Sequence, residues 1–188
     1  NNYVSRTNIS LGLEWEILPG LKFEPIFSFY NNEGLSNSFE KANEIFADRR
    51  ASASHNMDLH FQYDAILSYV KTIKKHNFSA MAGLNQTNDH SYSMSGSGNG
   101  APTDYIPTLN ATTQESQKVS TTYYVDKMTS IFGRFTYDFD KKYLFSASIR
   151  RDGSSRFAAN NRFGTFPGVS AGWNMHNEDF FQPATRLI

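Results

Sequence analysis

The stretch Ile131-Phe132-Gly133-Arg134-Phe135-Thr136-Tyr137-Asp138-Phe139, then Asp140-Lys141-Lys142, then Tyr143-Leu144-Phe145-Ser146-Ala147-Ser148-Ile149-Arg150, decides the fold class. In the second run Tyr143, Phe145, Ala147 and Ile149 alternate with Leu144, Ser146, Ser148 and Arg150. In the first, Ile131, Gly133, Phe135, Tyr137 and Phe139 alternate with Ser130, Phe132, Arg134, Thr136 and Asp138. Successive side chains on a strand point to opposite faces, so a period of 2 with one greasy side predicts half-buried strands. The polar triplet between the two runs makes them a hairpin.

The same period runs outward through the chain. Ile9, Leu11, Leu13, Trp15 and Ile17 alternate with polar or small residues, and Pro19-Gly20 turns them back into Leu21, Phe23, Phe27 and Phe29. Met57, Leu59, Phe61, Tyr63, Ala65, Leu67 and Tyr69 form the longest stripe, opposed by Asp58, His60, Gln62 and Asp64. Phe78, Ala80, Ala82 and Leu84 mark a further strand, and residues 163–174 the last. Seven strands and no helix are expected, with Pro25 an anomaly because proline donates nothing to a ladder. Short links at Pro19-Gly20, 71–77 and 140–142 alternate with long polar ones at about 31–50, 88–121 and 152–162. An antiparallel up-and-down meander then carries all its short turns at one end and all its long loops at the other, the sorting seen in outer-membrane barrels. Seven strands cannot close such a barrel, so the chain reads as part of one.

Composition narrows the function. The 188 residues carry 18 basic and 18 acidic side chains and no cysteine. Zero net charge gives no footprint for a nucleic-acid partner, and the missing thiols remove disulfides, thiolate metal sites and a cysteine nucleophile. No apolar run approaches the roughly 20 residues of a membrane helix. Mean hydropathy is −0.53, yet 15% of the residues are aromatic, a combination that suits strands with one apolar face.

The 131–157 stretch, ending Arg150-Arg151-Asp152-Gly153-Ser154-Ser155-Arg156-Phe157, resembles the SusC/RagA family of TonB-dependent outer-membrane transporters. So does the continuation Asn160-Asn161-Arg162-Phe163-Gly164-Thr165-Phe166-Pro167-Gly168-Val169-Ser170-Ala171-Gly172-Trp173, followed by Glu178-Asp179-Phe180-Phe181. The resemblance implies a barrel of about 22 strands in the outer membrane of a Gram-negative bacterium, closed around a plug. It implies import of oligosaccharides or peptides, energy supplied through TonB, contact with outer-membrane lipid, and a SusD-like surface lipoprotein as partner. Residues 1–188 are then expected to be one internal segment of the barrel domain, with the plug, the TonB-contacting region and the signal peptide outside it.

No catalytic, cofactor or metal residue is assigned, and the chain is expected not to be an enzyme. The five histidines show no helical i, i+4 pair, and Ser154 and Ser155 lack a nucleophile-elbow setting. Gly96, Gly98 and Gly100 have no helix after them to make a phosphate cradle, and read as a flexible loop tip. Arg150, Arg151, Asp152, Gly153, Ser154, Ser155 and Arg156 read as a self-folded structural loop, with contact to a ligand at the rim as the alternative. Trp15, Tyr30, Tyr69, Tyr123, Tyr143 and Trp173 suit girdle positions at the headgroup level. Tyr92 and Tyr105, expected inside the longest loop, are the candidate contacts to cargo or lipoprotein. The rival to the whole reading is a soluble β-sandwich that binds carbohydrate on an aromatic strand face.

Overall fold

The structure, a computed structural model, describes residues 2–44 and 47–181. Among the described residues eight strands form one sheet: β1 (Asn2–Gly12), β2 (Trp15–Leu18), β3 (Leu21–Glu40), β4 (Arg50–Ile73), β5 (His76–Asn99), β6 (Lys118–Phe139), β7 (Tyr143–Ser154) and β8 (Phe163–Trp173). Their order is β1-β3-β4-β5-β6-β7-β8, with β2 also on β3, and the hairpin registers are antiparallel: Phe135 faces Ala147 and Tyr143 faces Trp173. Among the described residues there is no α-helix, only four one-turn 3₁₀ segments. The meander is as the alternation predicts.

The extra strand has a local cause. Trp15 pairs with Phe23, so continuing the ladder sets Leu13 opposite Pro25. The Leu13 N–H does donate to the Pro25 carbonyl at 3.1 Å, but proline has no N–H to return. The line from Asn2 to Leu18 breaks there into β1 and β2, and the Pro25 anomaly is absorbed at an irregularity, where sheets tolerate proline.

The long loops are shorter than expected. β3, β4, β5 and β6 run 20, 24, 24 and 22 residues, leaving connections only at 41–49, 100–117 and 155–162. Residues 88–99 and 118–121 are therefore strand, and Gly96 and Gly98 lie in β5 rather than at a loop tip. These ends are rich in Ser, Asn, Thr and Gly, so no apolar stripe betrays them, while ladder hydrogen bonds are indifferent to side-chain type.

The described residues group into two compact units, one within Asn1–Ile9, Ser28–Phe61 and Asn88–Asp126, the other within Ser10–Phe27, Gln62–Thr87 and Lys127–Ile188. The first holds the connections at 41–49 and 100–117, the second the tight turns and the 155–162 connection. In the second unit Gly20 turns at φ 83°, where a Cβ would meet the Val70 carbonyl oxygen at 2.3 Å. Asp140 and Lys141 both take positive φ as the central residues of the turn that the Lys142 N–H closes onto the Phe139 carbonyl at 2.8 Å.

Past β8 the chain folds back on that last turn. Glu178, largely covered, accepts from Lys142 Nζ at 2.9 Å, from the Tyr143 hydroxyl at 2.7 Å and from Trp173 Nε1 at 3.1 Å. Asn174 and Asn177 both donate to the Lys141 carbonyl. The Lys142, Tyr143 and Trp173 donors hold the Glu178 carboxyl below its ordinary 4.5, and the Glu178 hydrogen bond raises Lys142 above 10.5.

A group with a lowered folded pKa contributes stability above its unfolded value and loses it as pH falls through the folded one. A raised lysine contributes below its unfolded value and loses that as pH rises. Glu178→Gln in the complete protein should therefore melt below wild type at pH 7. The gap should narrow as pH drops from about 4.5. A gap independent of pH between 7 and 3 contradicts the Glu178 hub.

The two faces of β6 and β7 give a second expectation. Phe135 packs against Phe78 at 6.5 Å on the apolar face, and Thr136, its neighbour, points the other way opposite Ser146. In lipid, Phe135→Arg should cost about 2–4 kcal/mol near mid-depth, and Thr136→Arg much less. Equal penalties in reversible unfolding would reverse the assignment of faces.

Candidate functional site

Strand alternation builds a polar ladder in the first unit. Arg6 Nε donates to Asn32 Oδ1 at 3.2 Å, Asn32 Nδ2 to Asp58 Oδ2 at 3.4 Å, and Ser91 Oγ to Asp58 Oδ1 at 2.5 Å. Alongside, Ser36 donates to Asn2, Ser93 to Asn56, and His60 pairs with Asp89. One hydrogen-bonded network thus crosses β1, β3, β4 and β5. The residues between these point the other way: Phe29 packs tilted against Phe61 at 5.1 Å, Phe61 meets His90 at 6.3 Å, and His90 meets Tyr123 at 6.4 Å. Half-exposed charges and amides thus line one face and rings most of the other, where the Glu33–His55 pair lies toward the strand ends.

The second unit repeats the division. Asp64 accepts from Gln62 and Asn85, and Asp138 from Asn77, on the polar side. Opposite lie the ring contacts Phe27–Tyr63, Phe78–Tyr137 and His76–Phe139. Of the ladder residues, Asp58 and His60 were visible in the sequence as the polar half of the 57–69 stripe. Their partners Asp89 and Ser91 lay in residues read as loop, as did Asn32 and the Asn56 partner Ser93, and Arg6 carried no signal.

The signature residues 150–156, expected as a loop, are strand as far as Ser154, paired with β6 and β8, and are drawn into a dense cluster. Arg150 Nε donates to both Asp152 oxygens at 2.7 and 3.0 Å, and its Nη2 to Ser130 Oγ at 3.1 Å, where Ser130 is fully buried. The guanidinium sits 5.6 Å over the Phe132 ring, and that ring fills the space a side chain would need at Gly83. Arg151 lies over Phe163 at 4.9 Å, and the Phe163 ring occupies the place of a Cβ on Gly153. Ser155 exchanges backbone and hydroxyl hydrogen bonds with Lys127, and Ser154 N–H donates to the Arg162 carbonyl. Arg156 N–H donates to Ser154 Oγ.

The two candidate tyrosines do not share an environment. Tyr92 lies within β5, its ring edge-on to His55 at 6.2 Å, and His55 in turn pairs with Glu33 at 2.8 Å. Tyr105 is in the 100–117 connection and 92% exposed. That connection is fixed: Arg49 holds Asp104 at 2.5 Å, Gly100 N–H donates to the Arg49 carbonyl, and 3₁₀ turns occupy Leu109–Ala111 and Gln114–Ser116. Leu109 and Thr112 pack where Gly96 and Gly98 lack a Cβ, which explains those glycines without a phosphate.

No family model matches the sequence. Among curated proteins, the chain is 32% identical over 174 residues to TonB-dependent receptor P39 of Formosa agariphila, covering 89% of this chain and 17% of the relative. To TonB-dependent receptor SusC of Bacteroides thetaiotaomicron it is 25% identical over its whole length, and covers 18% of SusC. The chain thus spans under a fifth of the curated relatives it matches. A solved structure of the RagAB peptide transporter superposes with a TM-score of 0.90 at 21% identity, covering 95% of this chain and 20% of that one. The alternating meander, the polar and apolar faces and these similarities agree: they support a SusC/RagA-like TonB-dependent transporter fragment with the fold of a β-barrel segment.

Proposed function

We propose that residues 1–188 form one continuous segment of the wall of an outer-membrane TonB-dependent importer, with the polar face lining the lumen and the aromatic face against lipid. The observation that carries this is the Arg6–Asn32–Asp58–Ser91 ladder. It is a polar strip on a sheet whose other face carries a row of aromatic rings. A soluble sandwich would bury its apolar face under a second sheet, and here Ile131, Ile149, Phe163 and Val169 stand exposed.

The cargo is a hydrophilic oligomer, an oligosaccharide or a peptide. A ladder of carboxylates, amides, hydroxyls and an arginine can exchange hydrogen bonds with either. The role is non-catalytic: the wall guides cargo, and the outer connections meet a SusD-like lipoprotein. TonB acts through a part of the protein outside this chain. The Arg150–Asp152–Ser130 cluster is architectural, its polar groups being spent on one another within β7 and across to Ser130 of β6. Tyr105 is a partner contact, since a ring presented bare on a braced loop gains more on docking than one on a loose tether.

Replacing residues 101–116 by an Asn-Gly turn in the full protein should leave heat-modifiable barrel migration intact, because Asn99 and Lys118 already end the paired strands. Co-purification of the lipoprotein, or growth on the cargo, should fall, and Tyr105→Ala should reproduce part of the loss. If neither changes in the deletion, the loop has no role in docking or uptake. Loss of barrel migration instead makes the loop structural.

A further inference from the structure

The tight-turn end of the second unit carries five lysines, Lys71, Lys74, Lys75, Lys141 and Lys142, in or beside two turns. The turns are tied together: Asp140 N–H donates to the Lys75 carbonyl at 2.7 Å, and Lys75 Nζ to Asp140 Oδ2 at 2.7 Å. Lys142 is taken by Glu178. Lys71, Lys74 and Lys141 are exposed, and their ammonium groups have no partner among the described residues. Lys74 and Lys141 sit at φ 55°, a conformation that hairpin turns ordinarily give to Gly, Asn or Asp.

Of the acidic groups nearby, Asp179 lies 3.7 Å from the Lys142 ammonium and others are already engaged. Asp138 accepts from Asn77 and from the Lys141 N–H, and Glu14 holds Lys22. Asn77 also receives the Thr72 hydroxyl, which fixes Thr72 on the polar face and, by alternation, Lys71 and Ile73 on the apolar one. On that apolar face the turn end is ringed by His76, Phe78, Tyr137, Phe139 and Tyr143. Rings of this kind settle at the headgroup level of a bilayer, and a lysine beside them lays its stem on apolar surface and lifts its charge into the headgroups.

We propose that Lys71, Lys74 and Lys141 form a binding site for the phosphate of an anionic glycerophospholipid, its acyl chains lying along the aromatic face. The site rests on the reading of this face as lipid-exposed and of the tight turns as periplasmic. Unpaired cations above an apolar wall complement a phosphodiester on hydrocarbon, and neither a free phosphate nor a soluble anion would use both halves.

The test is native mass spectrometry of the full-length transporter titrated in detergent with phosphatidylglycerol or phosphatidylcholine of identical chains. Wild type should bind phosphatidylglycerol preferentially. The triple variant Lys71→Gln, Lys74→Gln, Lys141→Gln should lower the ratio at least threefold without changing phosphatidylcholine binding. The corresponding triple arginine variant should keep it. An unchanged ratio in the glutamine variant, or no preference in wild type, overturns the site. Separately, Lys74→Cys should resist a membrane-impermeant maleimide on intact cells and react after lysis. Labelling on intact cells would overturn the underlying orientation rather than the lipid chemistry.

Discussion

Everything in this structure follows from one constraint: an antiparallel ladder satisfies every interior backbone donor and acceptor only with the neighbouring strand, and it sends successive side chains to opposite faces. The first half of the constraint explains why strands of 20 to 24 residues can run on through polar sequence, since their hydrogen bonds ask nothing of the side chains. The second explains why Phe29, Phe61, His90 and Tyr123 share a face from which Asn32, Asp58 and Ser91 are excluded. Where a residue cannot obey, as at Pro25, the ladder breaks opposite it and resumes.

The two ends of the strands are closed by different physics. At the tight turns, short backbone arcs and the Glu178 hub fix the β6–β7 turn with three side-chain donors on one carboxylate. At the other ends the 100–117 connection is held by an ion pair, two 3₁₀ turns and packing onto glycines. A small motif such as Glu178-Asp179-Phe180-Phe181 then makes sense as a clasp: its first residue gathers the turn, and Phe180 packs on Trp173 at 6.5 Å.

Where alternation coincided with apolarity the fold was legible in the sequence. β7 stands where Tyr143, Phe145, Ala147 and Ile149 placed it, and the 140–142 turn follows from its polar triplet. Legibility failed where both faces meet water or another loop. Residues 88–99 alternate Asp89, Ser91 and Ser93 against His90, Tyr92 and Met94, a contrast too weak to read as a strand without its partners Asp58 and Asn56. Tyr92 was misplaced with them, and the role of Gly96 and Gly98 depended on contacts with Leu109 and Thr112 that no spacing announces. The polar ladder was half visible, as Asp58 and His60. Arg6 and Asn32 join it only because the meander sets β1 and β3 beside β4.

The central claim is that a single parity separates lipid from lumen along β7. Nitroxide labels placed singly at residues 145, 146, 147 and 148 of the full transporter in vesicles, with oxygen and a water-soluble nickel chelate as relaxants, test it most directly. The account predicts high oxygen and low nickel accessibility at 145 and 147 and the reverse at 146 and 148. Uniform accessibility at all four positions, or the opposite alternation, would contradict it.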